Sequence, residues 1–132
     1  MKLLRVGEFG QETVAALDKD NIIRDLSNHI SDLNPETFSE NNLQKLKKLN
    51  LKDLPEIKAD RIGSCFNKPT NYFCVGKAFH LHALEVGSKA PKDPMIFSKA
   101  ISCLSGPNDN IIIPKDSSKV DWECEIGVCL KD

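Results

Sequence analysis

The clearest β-strand pattern in this chain is Asp121-Trp122-Glu123-Cys124-Glu125-Ile126-Gly127-Val128-Cys129-Leu130. Side chains at positions i and i+2 of a strand point to the same face, so Glu123 and Glu125 are expected to project together. The opposite face is expected to carry Trp122, Cys124, Ile126, Val128 and Leu130. Two adjacent carboxylates repel each other unless a hard divalent cation, a basic partner or open water offsets the repulsion. The pattern therefore indicates either a metal-binding pair or the solvated face of an ordinary amphipathic strand.

The first part of the chain predicts a small β-meander followed by a short helix. Strands are expected at residues 3–6, 13–17 and 22–26, with a polar turn between the second and the third. The helix is expected after Ser39, whose hydroxyl suits the N-cap position. A proline-containing break follows, and the stretch up to residue 61 is interpreted as a linker. We therefore predict an N-terminal module at residues 1–58 and a second region at residues 59–132.

The second region predicts more strands than helices. Strands are expected at residues 62–65, 72–75, 95–99 and 111–114, in addition to the final one, and a helix at residues 79–86. Strong turn chemistry occupies residues 105–110. The fold class is accordingly predicted as α+β and mostly β. Because the chain ends directly after a strongly patterned strand, we expect this region to be the truncated start of a larger domain.

Composition restricts the classes of protein to which the chain can belong. Its 132 residues are 40% hydrophobic and 28% charged with a net charge of −1, which is typical of a globular protein and gives no sign of a nucleic-acid partner. No apolar stretch approaches the roughly 20 residues that span a bilayer. The five cysteines are irregularly spaced and no secretory signal begins the chain. We expect a cytoplasmic protein whose cysteines are mainly buried, small apolar residues.

His82 and Glu85 lie three residues apart on the predicted helix and are therefore neighbours on its surface. A carboxylate beside an imidazole fixes its tautomer and raises its basicity, which suits a general base that activates water. An ordinary pair on a helix surface is the alternative. His80 would share a face with His82 only in a strand, where a transition-metal site would become an option. On a helix the two histidines lie about 200° apart, so His82 is preferred and the role of His80 stays open.

Several motifs in order resemble the fumarylacetoacetate hydrolase family. They are Phe73-Cys74-Val75-Gly76 with the following His-x-x-Glu, Pro94-Met95-Ile96-Phe97-Ser98-Lys99, Ser105-Gly106-Pro107-Asn108-Asp109, Ile113-Pro114 and Asp121-Trp122-Glu123-Cys124-Glu125. The start of the chain is also similar to the N-terminal module of members known as ureidoglycolate lyase or 2-hydroxyhepta-2,4-diene-1,7-dioate isomerase. The resemblance implies that the second region is the first part of a mixed β-roll in an enzyme that dimerises when full length.

The same resemblance implies roles for five residues. Glu123 and Glu125 would bind Mg²⁺, or Mn²⁺ or Ca²⁺, together with a later aspartate that these residues do not include. His82 with Glu85 would activate water, and Lys99 would contact a small-molecule carboxylic acid substrate. The substrate would be a 2-oxo acid, a 1,3-dicarbonyl or a ureidoglycolate-type acid, and the reaction a C–C hydrolysis, a lyase reaction or an isomerisation.

The sequence departs from the family pattern at two places. Family members commonly carry Asn-Tyr, often with an Asp before the His, where this chain has Ala78-Phe79-His80-Leu81-His82, and they usually carry proline where it has Ala100. The third metal carboxylate and most of the substrate pocket would lie further along the family sequence. We therefore expect the 132-residue chain to be inactive by itself. The alternative hypothesis is a non-catalytic short module for binding or dimerisation, or a degraded gene product of the same family.

Overall fold

The computed structural model describes residues 1–67 and 69–130 and divides them into two compact units. One unit contains Met1–Asn67 together with the segment that starts at Ser105, and the other contains the residues between them up to Leu104. The predicted division at residue 58 separates two modules along the sequence, and it stays a prediction.

Three antiparallel strands form the predicted meander in the first unit. They are β1 (Lys2–Val6), β2 (Thr13–Leu17) and β3 (Ile23–Asp25), in the order β1-β2-β3. The turn between β2 and β3 is closed by the Asp18 carboxylate, whose Oδ1 accepts hydrogen bonds from the backbone N–H groups of Asp20 and Ile22, both at 2.9 Å. Local bonds of this kind explain why a short polar turn is readable from sequence.

A helix packs on the meander and completes its core. Helix α1 (Glu40–Lys47) begins after Ser39, whose side chain accepts a hydrogen bond from the N–H of Asn42, so the predicted cap is confirmed. Its Leu46 is buried against side chains of the sheet and of the following loop. The buried apolar cluster comprises Val14, Ala16, Leu26, Ile30, Leu33 and Leu46. A short 3-10 helix (Leu51–Asp53) follows.

The stretch interpreted as a linker is hydrogen-bonded to both edges of the meander. Glu56 forms an antiparallel bridge with Arg24 of β3, and Ile62 forms one with Val6 of β1. The predicted strand at residues 62–65 is therefore wrong except for this single bridge. The chain bends away after Gly63, whose N–H donates to the carbonyl oxygen of Arg5 at 2.7 Å.

The second unit is a hairpin-like pair of strands with a helix between them in sequence. Strands β4 (Phe73–Gly76) and β5 (Met95–Ser98) pair antiparallel, and helix α2 (His80–Glu85) connects them. A 3-10 helix (Ile101–Cys103) ends the unit. All three predicted elements are confirmed to within two residues at each end. The described elements are compatible with a mostly β, α+β class, whereas the mixed β-roll stays a prediction.

Two predicted strands in the last part of the chain are not formed. Residues 111–114 and 121–130 adopt no strand, and the side chains of Trp122, Ile126, Val128 and Leu130 are exposed rather than collected on a buried face. The physical reason is pairing, since a strand needs a neighbour and none of the described residues pairs with them. The expectation of buried cysteines is also wrong, because only Cys74 is buried and the other four are exposed.

Candidate functional site

Helix α2 holds His82 and Glu85 on one side, as the spacing predicts. The Nδ1 atom of His82 lies 3.8 Å from Oε2 of Glu85, which is slightly too long for a hydrogen bond. The side chains are 42% and 81% exposed, so water and solutes reach both. A small side-chain rotation would bring the two atoms into hydrogen-bond distance.

The end of α2 is well defined despite the short length of the helix. Gly87 adopts a φ of 69°, and its N–H donates to the carbonyl oxygen of Leu84 at 3.0 Å. The N–H of Ser88 donates to the carbonyl oxygen of Ala83 at 2.9 Å. These two bonds form a Schellman motif, which favours glycine at the left-handed position. The motif fixes the helical turn on which Glu85 lies.

The histidine pair does not form a strand-type metal site. His80 and His82 both belong to α2, where residues two apart differ by about 200° around the axis. The alternative in which both imidazoles share a strand face is therefore wrong. His80 is left on another side of the helix from His82.

Lys99 follows β5 in the same unit as His82 and Glu85. Its backbone N–H donates to the carbonyl oxygen of Tyr72 at 2.8 Å, and its side chain is exposed. No ion pair or hydrogen bond joins its ammonium to the His82–Glu85 pair within the residues that the structure describes. The substrate-binding role of Lys99 stays a prediction.

Glu123 and Glu125 belong to the first unit and are both exposed. Their carboxylate oxygens are the donor type that Mg²⁺, Mn²⁺ and Ca²⁺ prefer. Within residues 1–67 and 69–130, however, no group of three or more His, Cys, Asp or Glu side chains is placed to hold a metal ion. The chemistry of the two carboxylates fits a hard cation, and the metal site stays a prediction.

A partly buried ionic network in the first unit was missed from sequence. Five side chains alternate in charge, in the order Asp32, Arg5, Glu12, Arg61 and Asp109. Arg5 binds Asp32 through two nitrogens, with Nε to Oδ1 at 2.7 Å and Nη2 to Oδ2 at 3.2 Å. The side chain of Glu12, only 5% exposed, lies between the two arginines. The network ties strand β1 to residues far away in sequence.

The side chain of Arg61 donates four hydrogen bonds in this network. Its guanidinium forms two parallel bonds with Asp109, Nε to Oδ1 and Nη2 to Oδ2, both at 2.8 Å. Nη1 donates to Oε1 of Glu12 and to the carbonyl oxygen of Gly7, both at 2.9 Å. The guanidinium carbon also lies 5.4 Å from the ring centroid of Phe9, within the range of a cation–π contact. The two carboxylates that Arg61 contacts, those of Glu12 and Asp109, are thereby stabilised in their charged form.

The pKa values of the network follow from these contacts. Hydrogen bonds from Arg61 and from the N–H of Gly106 hold the pKa of Asp109 below its ordinary value. Burial raises the pKa of Glu12, but the bonds that it accepts from Arg61 and from backbone groups outweigh burial and leave the pKa lowered. Asp109 and Glu12 in turn raise the pKa of Arg61. An arginine inside the apolar strand sequence Leu3-Leu4-Arg5-Val6 signals a buried ion pair, although sequence alone does not identify its partners.

Comparison with known proteins finds a similar family for the second half of the chain. Residues 71–132 match the fumarylacetoacetate (FAA) hydrolase C-terminal family. That stretch contains all five residues predicted for the site: His82, Glu85, Lys99, Glu123 and Glu125. This part of the chain is therefore similar to that family, while the likeness to ureidoglycolate lyase or to the isomerase stays a prediction.

Similarity to curated proteins extends over nearly the whole chain. The chain is 44% identical over 131 residues to a "Putative hydrolase" of Burkholderia multivorans, and 43% identical to proteins of the same description from Burkholderia lata and Burkholderia ambifaria. Each alignment covers 98% of this chain and 46% of the relative. The chain therefore spans less than half the length of these relatives. Among the described residues, no helix has the length and apolar character needed to cross a membrane.

Proposed function

We propose that this chain is the N-terminal portion of a divalent-metal-dependent enzyme of the fumarylacetoacetate hydrolase family. The substrate class is a small 2-oxo acid, 1,3-dicarbonyl or ureidoglycolate-type acid, and the reaction is a C–C hydrolysis, a lyase reaction or an isomerisation. The observation that carries the proposal is the family match over residues 71–132, which includes every predicted site residue. The hydrolase descriptions of the relatives support the reaction class at its coarsest level.

In this proposal His82 is the general base and Glu85 orients it. Glu85 accepts a hydrogen bond from Nδ1–H of His82 after closing the observed 3.8 Å gap, which leaves Nε2 free to accept a proton from water. The partial exposure of His82 allows a substrate and a water molecule to approach. Lys99 supplies a cation for a substrate carboxylate or for developing negative charge.

Glu123 and Glu125 would hold the metal ion, with Mg²⁺ as the first candidate and Mn²⁺ or Ca²⁺ as substitutes. The bound ion would polarise a substrate carbonyl as a Lewis acid. Two carboxylates alone bind Mg²⁺ weakly, since this ion prefers six oxygen ligands. We therefore expect a third protein ligand in the complete enzyme. The family resemblance separately implies that the complete enzyme is a homodimer.

Titration of the protein with Mn²⁺, followed by the electron paramagnetic resonance signal of the free ion, tests the metal proposal. We expect Glu123→Gln and Glu125→Gln each to raise the dissociation constant about tenfold or more, equivalent to ~1.4 kcal/mol. Glu36→Gln is the matched control, because Glu36 is an exposed carboxylate of the first unit outside the predicted site. Equal affinity in all four proteins, or no binding by the native sequence, would count against a metal site here.

A measurement of intact mass in the source cells separates this proposal from its alternative. This chain has a mass of 14.7 kDa, and a protein of about twice that mass would direct the next assays to metal and substrate. A product of 14.7 kDa would favour the non-catalytic binding or dimerisation module. One observation favours that second candidate, namely the exposure of large apolar side chains from Phe73 onward. Sedimentation analysis of the chain would reveal whether it dimerises.

A further inference from the structure

An ion pair between Arg61 and Asp109 joins the segment where the chain leaves the first unit to the segment where it returns. The exit follows Asn67 and the return occurs at Ser105, so residues 69–104 form an excursion from that unit. Arg61 lies shortly before the exit and Asp109 shortly after the return. Their bidentate pair joins two segments that are 48 positions apart in sequence.

The backbone of the same two segments is in close approach. Gly106 is buried, and a Cβ atom added to it would lie 2.1 Å from the carbonyl oxygen of Ile62. Only glycine fits such a contact without a shift of the backbone. The N–H of Gly106 also donates to Oδ2 of Asp109 at 2.7 Å, so the turn is closed by the carboxylate that Arg61 holds.

We propose that Arg61 and Asp109 are positioning residues that clamp together the two ends of the excursion. Bringing the ends of a flexible loop together costs conformational entropy that grows with the logarithm of its length, and a contact at the base offsets that cost. The excursion carries His82, Glu85 and Lys99. The clamp therefore fixes where the segment with the predicted catalytic residues begins and ends, a consequence that rests on the proposed function, whereas the clamp itself does not.

Arg61 suits this role because its anchor is rigid. Nη1 is bound to Glu12 and to the carbonyl oxygen of Gly7, so the guanidinium plane is fixed on the meander before it meets Asp109. A planar fork donates two parallel hydrogen bonds to one carboxylate, which a lysine ammonium cannot reproduce. The geometry thus depends on arginine and not only on positive charge.

Residue-resolved hydrogen exchange of Arg61→Lys tests the clamp. We expect exchange of the Gly106 amide to accelerate about tenfold or more, because local opening no longer has to break the fork. Two amides serve as internal references: Leu26, bonded to the carbonyl oxygen of Val14 at 3.1 Å, and Ala83, bonded to that of Phe79 at 3.1 Å. Both are expected to change by less than about twofold.

The matched control is Asp18→Asn, which weakens another partly buried ion pair of the same unit. Oδ2 of Asp18 lies 2.9 Å from Nε of Arg24, away from the clamp. In this variant, we expect the ratio of the Gly106 exchange rate to the Leu26 exchange rate to stay as it is in the native protein. An equal acceleration at Gly106, Leu26 and Ala83 in Arg61→Lys would show that the network stabilises the whole molecule without clamping, and would overturn the proposal. Unchanged Gly106 exchange in Arg61→Lys would overturn it as well.

A pair of glycine variants tests the backbone part of the clamp. Gly106→Ala introduces a methyl group against the carbonyl oxygen of Ile62, whereas Gly127→Ala introduces one where no atom lies within 4 Å. We expect Gly106→Ala to accelerate exchange of the Gly63 amide and Gly127→Ala to leave it unchanged. If Gly106→Ala does not fold, the decision rests on Arg61→Lys, which keeps the charge and the approximate size.

One more measurement on the same samples keeps this proposal separate from the proposed function. Broadening of amide resonances near Glu123 and Glu125 by Mn²⁺ reports metal binding alone. Its absence would count against the metal site and leave the clamp standing. Broadening together with unchanged Gly106 exchange in Arg61→Lys would support the metal site and overturn the clamp.

Discussion

The two ends of this chain differ in how far their apolar side chains are buried. In residues 1–67, Val14, Ala16 and Leu26 are at most 1% exposed. From Phe73 to Leu130, by contrast, lie eighteen of the twenty large apolar side chains that are exposed among the described residues. The first region buries its apolar residues in a core built from residues 1–67, whereas the second leaves most of its large apolar side chains exposed, even in the paired strands β4 and β5. Within the second region, the predicted strands at residues 111–114 and 121–130 have no strand partner among the described residues.

Charged groups show the same contrast. Arg5 is 7% exposed and reaches two carboxylates, and no polar side-chain atom buried within the described residues lacks a hydrogen bond. The His82–Glu85 pair of the second unit is largely exposed and too far apart for a hydrogen bond. Charge has a structural role in the first case. In the second, the paired side chains are exposed to solvent.

Removal of Arg5 is expected to have the largest effect on stability. Arg5→Ala leaves the carboxylates of Glu12 and Asp32 without one of their partners, and the loss of one member of a buried ion pair costs about 3–5 kcal/mol. Glu85→Gln, the counterpart in the second unit, is expected to change the free energy of unfolding by less than about 0.5 kcal/mol. Urea unfolding followed by circular dichroism measures both. Similar losses in the two variants would contradict the contrast in charge.

Leucine truncation is expected to have the next largest effect. Leu26→Ala leaves a cavity in the core, at a cost of about 2–5 kcal/mol. Leu130→Ala removes the same atoms from a side chain that is 84% exposed, and is expected to lie within about 0.5 kcal/mol of the native protein. The same unfolding experiment compares them. A loss above 2 kcal/mol for Leu130→Ala would mean that residue 130 packs against something in solution.

The elements that were predicted correctly from sequence and those that were predicted wrongly lie in different parts of the chain. Strand and helix positions in the meander and in the second unit are readable because turns, caps and periodicity are local signals, as at Asp18 and Ser39. The strand at residues 121–130 has an equally strong local pattern, yet it does not form. Alternation specifies which face a strand would bury but does not supply the neighbour that must pair with it.

For the site, sequence placed His82 and Glu85 correctly on one side of a helix because i, i+3 geometry is fixed by the helix itself. The Arg61–Asp109 pair was not predicted. Its residues are far apart in sequence, and each has an ordinary local explanation, a linker for Arg61 and a turn for Asp109. Contacts of this kind depend on the path of the chain between them, which periodicity does not report.

Acid is expected to destabilise the first unit through Glu12, Asp18 and Asp109. The pKa of each is lowered in the folded protein, so their contribution to stability is present above the unfolded pKa and is lost as the pH falls through the folded pKa. Thermal melting between pH 7 and pH 3 should therefore show a falling melting temperature below about pH 4.5. Asp109→Asn is expected to melt lower at pH 7 and to lose less on acidification.

The control for this pH dependence is Asp116→Asn, which removes an exposed carboxylate from the same unit. Its melting curve against pH is expected to parallel that of the native protein. If Asp109→Asn retained the full slope of the native protein, the pKa of Asp109 would not be coupled to folding, and the bond to Arg61 would be absent in solution.

The smallest expected effect is on the fluorescence of Trp122, the only tryptophan. Because its side chain is 82% exposed, its emission should already resemble that of a solvated indole, and unfolding of the meander in urea should leave its wavelength almost unchanged. Circular dichroism at the same urea concentrations should show the cooperative transition of the first region. A blue-shifted native emission that moves to the red with that transition would mean that residues 121–130 are covered in solution. The contrast between a buried core in the first region and an exposed last segment would then be wrong for Trp122.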